Sequence, residues 1–112
     1  MLFKWDERFE WDDEKERLNF AKHKIHFATA VAVFDDDNRK EWYDVAHSED
    51  EDRYNTIGKV GDILFVVYTE RRDRIRIISA RLATAAERRI YYDSYFSSKK
   101  RDSPDGGTDC RN

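Results

Sequence analysis

The 112-residue sequence holds one cysteine, one proline and four glycines, and these scarcities limit what the chain can be. Cys110 stands among Gly106, Gly107, Asp109 and Arg111 in a polar tail, so neither a disulfide framework nor a cysteine metal site is available; it reads as an incidental exposed thiol. The longest apolar run, Ile63 to Tyr68, is far below the roughly 20 residues that span a bilayer, and no membrane partner is expected. Lys4, Asp6, Glu7 and Arg8 interrupt the start, where a signal peptide needs a continuous apolar region. The expected location is the cytoplasm. HSEDED and the histidines show no H-x-x-x-H or H-E-x-x-H spacing, so neither a metal nor a cofactor is expected.

Charge is abundant, at 40% of residues, and mean hydropathy is −0.96, yet aromatics reach 14% and several compact apolar runs are present. That combination describes a folded body with disordered ends, of a length suited to one core. The charge is two-sided. Residues 1–52 carry 8 Lys/Arg against 16 Asp/Glu, whereas residues 71–101 carry 10 against 3. A chain of net charge −3 therefore gathers positive charge around RIRIISAR, residues 74–81, as a polyanion-binding face or an acidic partner's docking site requires.

Along the chain, FKWDE is echoed by FEWDD. Phe9 and Trp11 alternate with Glu10 and Asp12 as in a short strand with one buried face. Asp13 to Glu16 has the D-x-x-E pattern of a capped helix start, and a helix to about Lys22 follows, with Leu18, Ala21 and Ile25 as its apolar positions. In IHFATAVAVF, Phe27, Ala30, Val31 and Phe34 form the stripe of a second helix. The acidic stretch 35–52 offers one edge strand, Lys40 to Val45, and is otherwise loop. RYNTIGKV, DILFVVYTE and RIRIISA then read as three hairpin-connected strands, with the doubly apolar ILFVVY in the middle of the sheet. Thr84 to Glu87 is a capping box opening a last helix with Ile90, Tyr91, Tyr95 and Phe96 inward. SSKKRDSPDGGTDCRN has the composition of a disordered tail. The expected fold is α+β, with three helices packed on one side of a small antiparallel sheet of about four strands. The expected organisation is an extension at 1–8, one domain at 9–97 and a tail at 98–112.

In order and spacing, F-x-W-D, N-x-x-K-H, V-F-D-D, H-S-E-x-E-x-R and R-I-I-S-A-R-x-A-T-x-x-E-R, as they stand between residues 9 and 92, resemble the BrnT family of type II toxin–antitoxin systems. The resemblance implies a RelE-like fold, a ribonuclease that inhibits translation and growth, and a BrnA-like ribbon-helix-helix antitoxin through which the complex contacts operator DNA. Three positions depart from the family pattern. Lys24 stands where a glycine is usual, His26 replaces a serine suited to capping the second helix, and Ala46 precedes His47 where an acidic residue is common. A strained or locally different turn is expected at Lys24, and a less firmly held His47.

Metal-independent RNA cleavage has to remove the 2′-OH proton, stabilise a pentacoordinate phosphate and protonate the leaving 5′ oxygen. Guanidinium forks suit the second task. Strand alternation sets Arg74 and Arg76 opposite Ile75 and Ile77, and Arg81 follows at the head of the last helix. The expected catalytic set is Arg76, Arg81, His23, Lys22 and Glu70, with Arg74, Arg88, Tyr92, His47 and Arg53 as RNA contacts. Each also has a plainer reading: arginines paired with Glu70, Asp73 or an acidic antitoxin, His23 at a helix C-terminus, His47 in a surface loop, and Tyr91 in the core. Two further function classes stand beside the ribonuclease. One is a module of weak or lost catalysis that docks an antitoxin and takes part in operator autoregulation. The other is direct DNA binding, disfavoured because no reading helix is recognisable.

Overall fold

The computed structural model describes residues 2–93; the expectations for Tyr95, Phe96, Cys110 and the tail lie outside them. In chain order the elements are β1 (Leu2–Lys4), β2 (Phe9–Asp12), α1 (Asp13–His23), α2 (Phe27–Ala30), a 3₁₀ segment Val31–Asp35, β3 (Lys40–Tyr43), a 3₁₀ turn Val45–His47, β4 (Tyr54–Val60), β5 (Asp62–Arg71), β6 (Arg74–Leu82) and α3 (Ala85–Tyr92). The meander forms as the sequence indicates. β4 pairs antiparallel with β5, and β5 with β6. The hairpin turns place Gly61 at φ 74° and Arg72 at φ 56°, left-handed values that cost glycine nothing and a branched side chain much.

The sheet differs from the expected one in size and sense. It has six strands, ordered β1-β2-β6-β5-β4-β3, rather than about four. It is mixed rather than antiparallel, because β2 runs parallel to β6, with Phe9 beside Ile75 and Glu10 beside Arg76. The helices also occupy both faces instead of one. Leu64, Val66, Ile77 and Ala80 point to a first core with Phe9, Trp11, Phe27, Ala30, Val31 and Val33 from the α1 and α2 side. Ile57, Ile63 and Phe65 point the other way and meet Tyr91 and Ile90 of α3. The doubly apolar β5 is what permits this, since each of its faces has a layer to bury against.

Local corrections have local causes. The N-cap of α1 is Asp12, whose carboxylate accepts from the Glu14 and Lys15 N–H groups, one residue earlier than expected. Leu18 and Ala21 are exposed, and the buried residue of α1 is Asn19. The apolar stripe after Phe27 tightens to 3₁₀ geometry at Val31, so Val33 is fully buried and Phe34 only partly. Lys24 does adopt the left-handed conformation, at φ 62°, its N–H donating to the Phe20 carbonyl. The cap lost with His26 is replaced from a distance: Glu16 Oε1 accepts the Phe27 N–H at 2.8 Å, while His26 bonds the same carboxylate and stacks on Phe20 at 3.9 Å. The first residues extend the sheet, Phe3 opposing Trp11, and Trp5 stacks on Trp11.

The Asn19 amide joins three backbone sites. Nδ2 donates to the carbonyls of Ile25 (3.0 Å) and Ala80 (2.8 Å), and Oδ1 accepts the Ala80 N–H at 3.1 Å. Asn19→Ala leaves both Ala80 groups unmet and should cost about 3 kcal/mol, read as a lower urea midpoint at unchanged m-value. A Cβ built on Gly58 would lie 2.6 Å from Val33 Cγ1 and 3.2 Å from the Val33 carbonyl. Gly58→Ala is therefore expected to destabilise by roughly 1–3 kcal/mol, measured by the same denaturation.

Candidate functional site

β6 carries a bulge, and the bulge decides where its arginines go. Val67 pairs with Ser79 while the next residue, Tyr68, pairs with Ile77, so Ile78 is extra. Strict alternation would set Arg81 on the face of Ile75 and Ile77. The extra residue reverses the parity, and Arg81 comes to lie opposite Phe65, on the face that also bears Arg76 opposite Thr69.

Although they share a face, the two arginines line different hollows. Arg76 Nε and Nη2 each reach Glu10 Oε2 at 3.0 Å, and Arg74 Nε lies 3.9 Å from Oε1 of the same carboxylate. Arg74 also donates to the Asp6 carbonyl. Glu10, only 4% exposed, is held by these arginines in the way a buried carboxylate requires. Their hollow is bordered by Lys4, Glu7, Arg71 and Arg72.

The second hollow, of about 350 Å³, is lined by Asp44, His47, Arg53, Asn55, Phe65, Val67, Ile78, Ser79 and Arg81. The Arg81 guanidinium carbon lies over the Phe65 ring, 4.1 Å from its centroid, and Arg81 donates to Glu87 through Nη1 at 2.9 Å and Nη2 at 3.0 Å. Glu87 completes the predicted capping box, accepting the Thr84 N–H while Thr84 Oγ1 accepts the Glu87 N–H. Burial alone would raise the Glu87 carboxyl, but the Arg81 and Thr84 hydrogen bonds and the Arg81 charge outweigh it and hold it below its ordinary value. The guanidinium is thus held by the ring and by two bonds to one carboxylate, with its side chain still 32% exposed. Among the described residues Arg53 has no ion-pair partner.

One wall of this hollow is the chain from Asp44 to Arg53. The Asp44 N–H donates to the Arg53 carbonyl, Ser48 Oγ donates to the Asp44 carbonyl, and the Arg53 N–H donates to Ser48 Oγ, at 2.8, 2.6 and 2.9 Å. This explains the H-S-E-x-E-x-R spacing: the serine closes the loop that presents His47 and Arg53 together. His47 lacks an acidic neighbour at position 46, yet its Nδ1 lies 3.0 Å from Asp44 Oδ2, one turn back.

His23 ends α1 and is partly buried, with Lys22 exposed beside it. Burial lowers its pKa from 6.5, and the positive charges of Lys22 and Arg81 lower it further. Glu70 stands opposite Ile75, on the face of the first core, away from Arg81. Arg88 and Tyr92 project from the outer side of α3 beside Arg89 and Asp93. The structure thus gathers Arg81, Arg53 and His47, places His23 within the fields of Lys22 and Arg81, and separates Arg74, Arg76, Glu70, Arg88 and Tyr92 from the hollow. Sequence reasoning missed Asn55 and Ser79, whose signal was their place in register with Val67 across three strands. Among the described residues no helix is long and apolar enough to cross a membrane, and no group of three His, Cys, Asp or Glu side chains is placed to hold a metal.

Comparison with known proteins bears on what this arrangement is. No curated protein sequence matches the chain. A crystal structure of the Brucella abortus ribonuclease toxin BrnT superposes with a TM-score of 0.53 at 25% identity, covering 66% of this chain and 92% of that one. The profile of the ribonuclease toxin BrnT of type II toxin–antitoxin systems matches residues 11–87, which include the end of β2, Asn19, the His47 loop, the bulged β6 and the Thr84–Glu87 box. The chain belongs to the BrnT family of ribonuclease toxins, whose members are paired with an antitoxin.

Proposed function

We propose that this protein is a cytoplasmic endoribonuclease that cleaves RNA without a metal, inhibits translation and growth, and is neutralised by a BrnA-like ribbon-helix-helix antitoxin, operator DNA being contacted through that complex. The observation that carries the reading is the convergence of Arg81, Arg53 and His47 on one hollow, with His23 in the field of Arg81. Arg53 and the open edge of Arg81 take the non-bridging oxygens of the scissile phosphate, where preorganised donors have most effect on the transition state. His23, kept neutral by burial and by neighbouring cations, accepts the 2′-OH proton as that oxygen attacks phosphorus. The P–O5′ bond breaks, and His47, oriented by Asp44, delivers a proton to the departing oxygen. The products are a 2′,3′-cyclic phosphate and a 5′-hydroxyl.

The alternative is a docking module with little or no catalysis. It draws support from Arg76 and Arg81, which are already engaged by Glu10 and Glu87. Purified protein and an end-labelled RNA separate the two readings, because a docking module leaves the RNA intact. For the enzyme, Arg81→Ala and Arg81→Lys should each slow cleavage on the order of 100-fold or more; a fully active Arg81→Ala protein would refute the assignment. Because the His23 pKa is lowered from 6.5, the neutral base becomes half-populated below that pH. The acid limb of the pH–rate profile should therefore inflect below 6.5 and disappear in His23→Gln.

A further inference from the structure

The floor of the Arg81 hollow is a single row across three strands, Asn55 of β4, Val67 of β5 and Ser79 of β6, held in register. An apolar centre is thereby flanked by an amide and a hydroxyl about 10 Å apart, two strand spacings. The amide is anomalous. Asn55 is 8% exposed, it lines the hollow, and its Oδ1 is buried without a hydrogen-bond partner. Buried amide oxygens are almost always satisfied, and nothing in the fold requires this one. The other buried polar residues each have an assignable bond, Asn19 to Ala80, Thr56 Oγ1 to the Lys40 carbonyl, Thr69 Oγ1 to the Asp52 carbonyl, Lys40 to the Tyr91 carbonyl and Glu10 to Arg76; among the described residues the other buried atom without a partner is Nε of the partly buried Arg39, whose Nη1 is bonded to Glu41 and Thr56.

We infer that Asn55 reads a nucleobase: one unpaired base of the RNA lies on the Val67 floor and turns a donor–acceptor edge to the Asn55 amide. This rests on the ribonuclease reading above and adds the group that selects the cleavage site. A side-chain amide offers one acceptor and a pair of donors, the complement of the paired donor and acceptor on a base edge. The terminal torsion of asparagine is soft, so a small rotation brings Oδ1 to a base N–H. The surroundings agree with this occupant. A volume of about 350 Å³ falls in the range of small-ligand sites. Arg53 and Arg81 stand at its rim to take the attached phosphate. Single-stranded RNA presents splayed bases in this manner.

The test has two arms that fail separately. The first titrates AMP, CMP, GMP and UMP one at a time into wild-type protein and into Asn55→Leu and Asn55→Asp, followed by amide chemical shifts. Wild type should prefer one or two of the four. Asn55→Leu should lose that preference, by tenfold to a hundredfold as an order of magnitude, and Asn55→Asp should change its order. The second arm maps cleavage positions in a random-sequence RNA pool, where the base beside the cut should follow the same pattern. Since Oδ1 has no partner in the fold, Asn55→Leu should melt at or above the wild-type temperature. Equal binding of all four nucleotides by wild type, an unchanged preference in Asn55→Leu, or a fall in its melting temperature would each overturn the inference. Cleavage without any influence of Asn55 removes base reading and leaves the ribonuclease; base discrimination without cleavage does the reverse.

Discussion

The amide of Asn19 settles a problem set by the sheet. β2 pairs with β6 only at Ile75 and Arg76, so the rest of that β6 edge lacks a strand neighbour, and a buried unpaired peptide group is costly. Asn19 meets both the N–H and the C=O of Ala80, as a strand residue would, and adds the Ile25 carbonyl beyond the turn. Three consequences follow from one side chain. The edge of β6 is closed, α1 is fixed in register along it, and the turn holding Lys24 in its left-handed conformation is tied to the sheet. His23 lies one helical turn beyond Asn19 and Arg81 one residue beyond Ala80, so the clamp that closes the edge also brings the imidazole into the guanidinium's field.

How the site was legible follows from which of its determinants are local. The meander, its turns, the central β5 and the Thr84–Glu87 capping box can all be read from short windows, because alternation, turn residues and caps act within a few positions. The strand formed by Phe9 to Asp12 was visible as well, but its parallel alignment with β6 was not, since no local pattern encodes a partner more than 60 residues away. The same limit hid the second helical layer. β5 is apolar on both faces, which identifies a buried strand without saying what covers each side. In α1, Leu18 resembled a core residue and is exposed, while the buried position is Asn19, because a backbone edge was waiting for an amide. The bulge at Ile78 is the subtlest case. Alternation is legible in RIRI, but Arg81, expected beyond the strand at the head of the last helix, lies within β6, and only the extra Ile78 turns it to the face of Arg76.

The concentration of positive charge in the second half of the chain is largely balanced from within. Glu10 comes from the acidic half to take Arg74 and Arg76, and Glu87 takes Arg81. Elsewhere the acidic half serves the fold directly. Glu16 caps α2, Asp36 accepts the Tyr91 hydroxyl at 2.6 Å and the Lys59 N–H at 2.8 Å, and Glu41 joins Arg39 and Tyr68 in a partly buried network. What remains at the surface is Arg71 and Arg72 at the β5–β6 turn, Arg88 and Arg89 on the outer side of α3, and the partly exposed Arg81 beside Arg53.

The wall of the Arg81 hollow between Asp44 and Arg53 is held by polar bonds at its base, whereas Val45 at its crest is 81% exposed. Little of it is anchored in either core. Substitutions there can reshape one side of the hollow while the sheet, the Asn19 clamp and the Arg81–Glu87 pair stay as they are. Relatives sharing this scaffold therefore have a route to diverge in what they recognise at small cost to folding, with the serine that closes the loop as the point that must be kept.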